Sequence, residues 1–350
     1  MCAPDAIASA AACAPCSQRR GRFRGWIPYA ALAAAVLVVA GCGGVQSALD
    51  PAGREASRVL GIFVWMSVGA ALIWASVVGL ALYVPRTQAR DVRRTATILI
   101  VGGGIVLPVT VLVLLLTFGL AELPAMLAPA APGGVTIDIT ASQWWWRVRY
   151  VRPDGTPVEL ANEIRLPVGR RLNTRLVSGD VVHSFWIPPL AGKMDVIPGR
   201  INYLSLEPTR TGIFRGACAE FCGTSHARMN FAVVVMEPEA FDAWLAAQAE
   251  PADAPTDPLA ARGQTVFLER GCVTCHTIRG TPAAGRVGPD LTHVGSRETI
   301  AAGQLRTDRD SFARWISGTD HLKPDVQMPA FVNLDEEALT AVSAYLAQLQ

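Results

Sequence analysis

Two uninterrupted apolar runs, Val59 to Val84 and Ala96 to Leu120, constrain this chain more than any other feature. Each can cross ~30 Å of hydrocarbon at ~1.5 Å per helical residue. Neither carries a polar stripe, so a buried hairpin of a soluble protein does not suit them, and both are predicted to be transmembrane helices. The loop between them, Pro85 to Arg94, holds Arg86, Arg90, Arg93 and Arg94. The positive-inside rule puts that loop in the cytoplasm and everything after residue 121 on the outer side. With 17% of its 350 residues charged and a net charge of +2, the chain has no basic face for nucleic acid, and no such partner is expected.

Upstream, Arg19, Arg20, Arg22 and Arg24 precede a shorter apolar run, Ile27 to Ala40, with the layout of a signal peptide. It ends in Val39-Ala40-Gly41-Cys42, which resembles the lipobox of bacterial lipoproteins. Residues 1–41 are therefore expected to be removed, leaving Cys42 as a lipidated N-terminus on the outer side that the Arg-rich loop also implies. An uncleaved signal with a buried Cys42 is the alternative. Cys13 and Cys16 have redox-motif spacing, but no histidine follows them and they precede the export signal.

From Val135 to Met236 the pattern changes to short β-rich stretches: Val135 to Thr140, Arg171 to Val177, Val181 to Ile187, Ile201 to Leu206 and Phe231 to Met236. Gly and Pro punctuate them, which predicts a compact antiparallel sandwich. Within it, Cys218-Ala-Glu-Phe-Cys222-Gly-Thr-Ser-His226-Ala-Arg-Met229 brings two thiols, an imidazole and a thioether onto one loop. Soft sulfur with imidazole selects copper over hard cations. His183 supplies a second imidazole from a separate strand. A mononuclear blue-copper site uses one Cys, so the second thiolate points to two sulfurs bridging two copper ions; a Cys218–Cys222 disulfide is the alternative.

Residues 59 to about 236 resemble subunit II of the haem–copper oxidases, and the Cys218 to Met229 run is similar to that family's signature for the binuclear CuA centre. The resemblance implies a cupredoxin-like Greek-key sandwich over residues 122–249, with a trailing helix from Pro238 to Ala249. It implies copper ligation by the side chains of His183, Cys218, Cys222, His226 and Met229 and by the backbone carbonyl of Glu220, whose carboxylate would bind a magnesium ion shared with subunit I. It also implies that Trp144, in Gln143-Trp144-Trp145-Trp146, receives electrons from cytochrome c; the family usually has Tyr where Trp145 stands. Strand alternation puts Trp144 and Trp146 on one face and Trp145 on the other. Where the family's second helix commonly carries a Glu, near a proton channel, this chain has Val101.

Glu250 to Pro258 has linker composition, and a new domain, 259–350, follows it. Cys272-Val-Thr-Cys275-His276 is the signature of covalent c-type haem attachment, two thiols taking the vinyl groups and the imidazole ligating iron. Zinc would lack a fourth protein ligand there. Met328, in Met328-Pro329, is the one methionine in the last hundred residues and the expected sixth ligand, with His293 and His321 as rivals. With Gly288-Pro289-Asp290-Leu291, the arrangement resembles class I cytochromes c. The helices Ala260 to Arg270 and Leu334 to Gln350 are expected to cross beside the haem.

The whole is predicted to be a two-helix transmembrane hairpin, an all-β cupredoxin-like sandwich and an all-α class I cytochrome c domain in a bacterial inner membrane, copper and haem on the periplasmic side. The resemblance implies the electron-input subunit of a proton-translocating cytochrome c oxidase whose oxygen-reducing site lies in subunit I. Subunit III, membrane lipid, and cytochrome c or a quinol–cytochrome c reductase as donor are the further partners implied. Five His are too few for the extra copper cluster of nitrous oxide reductase, and a quinol oxidase subunit would lack the copper ligands. A nitric oxide reductase with a CuA subunit and a free-standing membrane electron carrier stay open as alternatives.

Overall fold

The computed structural model describes residues 42–86, 92–130 and 134–350. The expected signal segment up to Gly41 and the centre of the Arg-rich loop lie outside the described residues. Helix α1 (Arg54–Tyr83) starts five residues before the apolar run and ends in a 3-10 turn, Val84–Arg86. The second apolar run forms α2 (Val92–Thr97), a π-helical stretch Ile98–Val106 and α3 (Leu107–Leu127). Pro108 has no N–H and its ring crowds the carbonyl four residues back, at Gly104. The ladder therefore widens to five-residue spacing, Leu107 N donating to Gly102 O. Two helical spans, Arg54–Arg86 and Val92–Met126, are long and apolar enough to cross a membrane. Ion pairs Arg54–Glu207 and Arg171–Glu55 join the outer end of α1 to the folded region that follows.

That region begins with β1 (Thr136–Ser142), β2 (Trp145–Val151), β3 (Pro157–Ala161), β4 (Glu163–Pro167), β5 (Leu172–Ser178), β6 (His183–Trp186), β7 (Met194–Val196), β8 (Asn202–Leu206), β9 (Gly212–Cys218) and β10 (Asn230–Met236). They form two five-stranded sheets in the orders β3-β2-β1-β5-β8 and β4-β10-β9-β6-β7. The sandwich is mixed rather than antiparallel throughout, because β1 pairs with β5, and β4 with β10, in parallel. The chain changes sheets between β3 and β4 at Asn162, whose φ of +56° suits Asn better than most side chains. Its Oδ1 accepts from Trp146 N at 2.9 Å, so the reversal leaves no orphaned amide there. Between the sheets, Phe185 and Phe231 stack at 4.9 Å with Trp146 edge-on to both at 5.5 Å. Helix α4 (Pro238–Ala247) adds Phe241 and Leu245 to this core.

A second apolar core belongs to the C-terminal region. It comprises α5 (Pro258–Glu269), the short pair β11 (Thr299–Ile300) and β12 (Leu305–Arg306), α6 (Arg309–Ser317), α7 (Thr319–Leu322) and α8 (Glu336–Gln348). Asp257, Asp308 and Asp335 cap α5, α6 and α8, each carboxylate accepting a first-turn N–H. Helices α5 and α8 cross as expected. They close at Gly263, where a Cβ would stand 2.0 Å from Ala341 O, and Phe267 packs edge-on to Tyr345 at 6.0 Å.

The stretch of linker composition, Glu250 to Pro258, is held down by hydrogen bonds. Ala252 N donates to Arg279 O (3.0 Å), Arg279 Nη2 donates to Gln248 O (2.5 Å), and His293 Nε2 lies 3.0 Å from Glu250 O. Residues Gly44–Gln350 form one unit in which the two cores share a boundary. Across it, Arg147 donates to Arg286 O and Arg165 to Ser296 O, both at 2.8 Å, and Glu298 N donates to the Glu163 carboxylate at 2.6 Å.

Candidate metal centre and haem cavity

The sulfur cluster is assembled where β6, the end of β9 and the start of β10 meet. Cys218 N donates to Met229 O and Ala219 N to Ser184 O, both at 2.9 Å, closing the Cys218 to Met229 loop onto both neighbouring strands. The two Sγ atoms stand 3.8 Å apart, well beyond the ~2.05 Å of a disulfide, which removes that alternative. His183 Nδ1 lies 3.9 Å from Cys218 Sγ, His226 Nδ1 lies 3.5 Å from Cys222 Sγ, and Met229 Sδ lies 3.8 Å from Cys222 Sγ. Glu220 O is 3.2 Å from Cys218 Sγ, so the carbonyl faces the cluster. The Glu220 carboxylate faces away, 3.9 Å from Lys193 Nζ. The arrangement has an imidazole beside each of two central sulfurs, with a thioether and a carbonyl completing the set. This soft N/S set, with His183, Cys218, Cys222 and Met229 all buried, fits a copper pair.

The protonation of these groups follows from their contacts. His183 Nε2 is 2.8 Å from Asp180 Oδ1; a carboxylate only accepts, so Nε2 carries the proton and Nδ1 keeps its lone pair towards the sulfurs. Burial pushes the His183 pKa down, but contacts with Cys218 and Asp180 outweigh it and hold it above the ordinary value. A hydrogen bond from the Cys222 thiol is the main cause that holds Cys218 down, to about 3, and the same bond pushes Cys222 up. Asp180, which orients His183, was not picked out by sequence, since a lone Asp in a turn has no signature.

The second site is a cavity of about 530 Å³, lined by Cys272, Cys275, His276 and Met328 from the C-terminal region and by Trp144 and Trp145 from the sandwich. Gly271, at φ +88°, ends α5 and turns the chain into the Cys272 to His276 stretch. His276 Nδ1 is 2.8 Å from Pro289 O, which fixes the proton on Nδ1 and leaves Nε2 free to ligate. Gly288 packs on the ring face, where a Cβ would come within 2.6 Å of Cε1. Burial pushes the His276 pKa down, which favours the neutral ligand form. Two thiols, a neutral imidazole and a thioether lining one largely apolar cavity fit a covalently bound haem. The rival His293 is occupied, Nδ1 lying 2.6 Å from Gln350 O and Nε2 3.0 Å from Glu250 O. His321 is exposed and lines no part of the cavity.

Trp144 lies in the turn before β2, so simple strand alternation does not govern it. It is 6% exposed and Trp146 is fully buried in the core, whereas Trp145 lies on the cavity wall with Arg147 over its ring at 4.9 Å. Trp144 Nε1 donates to Cys222 O at 3.0 Å, and Gln143 Nε2 donates to the same oxygen at 2.7 Å. One tryptophan therefore touches both sites. Sequence alone could not find this, because the two contacts come from residues far apart in the chain.

Residues 150–236 match the family described as cytochrome c oxidase subunit II, periplasmic domain, and residues 260–350 match the cytochrome c family. The chain is 38% identical over 216 residues to cytochrome c oxidase subunit 2 of Alkalihalophilus pseudofirmus, covering 62% of this chain and 61% of that one. It is 34% identical over 249 residues to cytochrome c oxidase subunit 2 of a Bacillus species, strain PS3, covering 67% of this chain and 68% of that one. The solved periplasmic domain of subunit II of cytochrome oxidase of Bradyrhizobium japonicum is similar at 32% identity, over 35% of this chain and 96% of that one, with a TM-score of 0.32. The match to the first of these relatives thus spans less than two thirds of that protein's length. Two apolar helices, a sandwich with clustered copper-type ligands and a cytochrome c fold, together with the family matches and the relative from strain PS3, place the chain in the cytochrome c oxidase subunit II family.

Proposed function

We propose that this chain is the electron-input subunit of a respiratory haem–copper oxidase, passing electrons from an upstream donor through a covalent haem to a copper pair and on to subunit I, where oxygen is reduced. The observation that carries this reading is Trp144, which lines the haem cavity and donates its indole N–H to the carbonyl of Cys222 at 3.0 Å. Bound haem and copper would supply one-electron chemistry at the two ends of this contact. Cys272 and Cys275 would hold the haem covalently, with His276 and Met328 as its axial ligands. His183, Cys218, Cys222, His226, Met229 and the Glu220 carbonyl would hold the copper, and Asp180 keeps His183 in the ligating tautomer. The two apolar cores support a division into 122–249, 250–258 and 259–350.

In this reading the helices α1 and α2 to α3 cross the inner membrane and the copper and haem regions lie in the periplasm. Glu220 would reach a magnesium ion at the boundary with subunit I, and Cys42 would carry lipid. The test uses the complex purified through this chain. After the haem is photoreduced, its oxidation and copper reduction should proceed together, and Trp144→Phe, which removes the N–H donated to Cys222, should slow both. Copper reduction that is absent, or unaffected by Trp144→Phe, would remove Trp144 from the path.

A further inference from the structure

Lys323 is 2% exposed and has no carboxylate partner among the described residues. A buried amino group costs free energy unless an acceptor answers its N–H. Its Nζ donates across the domain boundary to the main-chain oxygen of Trp144. Burial pulls its pKa down to about 7. Beside it, Pro324 O accepts from Ser225 Oγ at 2.6 Å, and Ser225 is fully buried. The same loop runs on to Met328, whose carbonyl accepts from Thr319 Oγ1 at 2.9 Å. One short segment thus carries the haem-facing thioether at one end and grips Trp144 and the copper loop at the other.

We propose that Lys323 is a positioning residue that fixes the register in which the cytochrome domain sits on Trp144, so that transfer across the boundary needs no docking step. The proposal rests on the electron path given under Proposed function. The physical reason is specificity rather than adhesion. Apolar contacts between domains tolerate small slips, but a slipped Lys323 would be a buried donor with no acceptor, and the Trp144 carbonyl would lose its donor. The observed seating satisfies both. Ser225 and Pro324 reinforce that seating from the next residue along.

The test uses the full complex with Lys323→Met and Lys323→Arg. Haem and copper spectra report that both sites are loaded, photoinduced single-turnover kinetics report the transfer, and amide hydrogen exchange over residues 143–146 and 225–230 reports the seating. In Lys323→Met, transfer should lose its single phase and spread over several slower ones, because more than one seating of the boundary becomes accessible. Exchange in both segments should rise, and Lys323→Arg, which keeps an N–H donor and the charge, should recover a single phase. A Lys323→Met complex with wild-type transfer and unchanged exchange would overturn the proposal. Should that variant not accumulate, Lys323→Gln is read in the same way. If the unaltered complex shows no haem-to-copper transfer, the path itself fails, while the exchange measurement still judges the latch.

Discussion

Gly288→Ala adds one methyl group against the face of the His276 imidazole, the proposed haem ligand. The new Cβ would stand 2.6 Å from His276 Cε1 and 2.9 Å from Nδ1, against ordinary carbon contacts of about 3.5–4.0 Å, a deficit of about 1 Å. Neither side yields easily. Gly288 N is tied to Cys275 O at 2.8 Å, and the ring is tied to Pro289 O at 2.8 Å. Overpacking of this size costs about 1–3 kcal/mol, which raises the unfolding constant of the haem domain roughly 5- to 140-fold. For a domain of this length each kcal/mol lowers the melting midpoint by about 4–8 °C. Haem content should be unchanged, since Cys272 and Cys275 are untouched, so absorbance melting of the complex isolates the effect. Gly318→Ala is the control, because its nearest neighbour, Arg314 O, would be at 3.5 Å. Equal melting of the two variants and the unaltered chain would refute the argument that this ring is clamped.

Two further outcomes are expected. Met328→Ala should abolish the weak sulfur-to-iron absorption band and lower the haem potential while leaving the haem attached; an unchanged band would mean that another group ligates the iron, although both ring nitrogens of His293 are occupied. Ending the chain at Ala249 should leave the copper ligands in place, because the sandwich has its own core, and should uncover Trp144 to soluble cytochrome c. Turnover should then depend steeply on added cytochrome c, and a truncated complex that oxidises the native donor as fast as the intact one would put the haem domain off the path.

The two candidate ligand motifs were legible from sequence because each is local. Cys218 to Met229 fall on one loop and Cys272 to His276 on one turn, so spacing alone carries their chemistry. The two long apolar helices were legible for the same reason, since length and hydropathy need no partner. Several strands were not. β9, Gly212–Cys218, hides behind glycines and a ligand cysteine, and the parallel pairing of β1 with β5 is a matter of topology that no periodicity encodes. The linker's composition allowed a free tether, but Arg279 and His293 reach back from the next domain to pin it, and only the folded chain brings them there. The same holds for the boundary. Trp144 meets Cys222 across 78 residues of chain and Lys323 meets Trp144 across 179, contacts whose loop-closure cost is met by packing two cores together and which no short window of sequence contains.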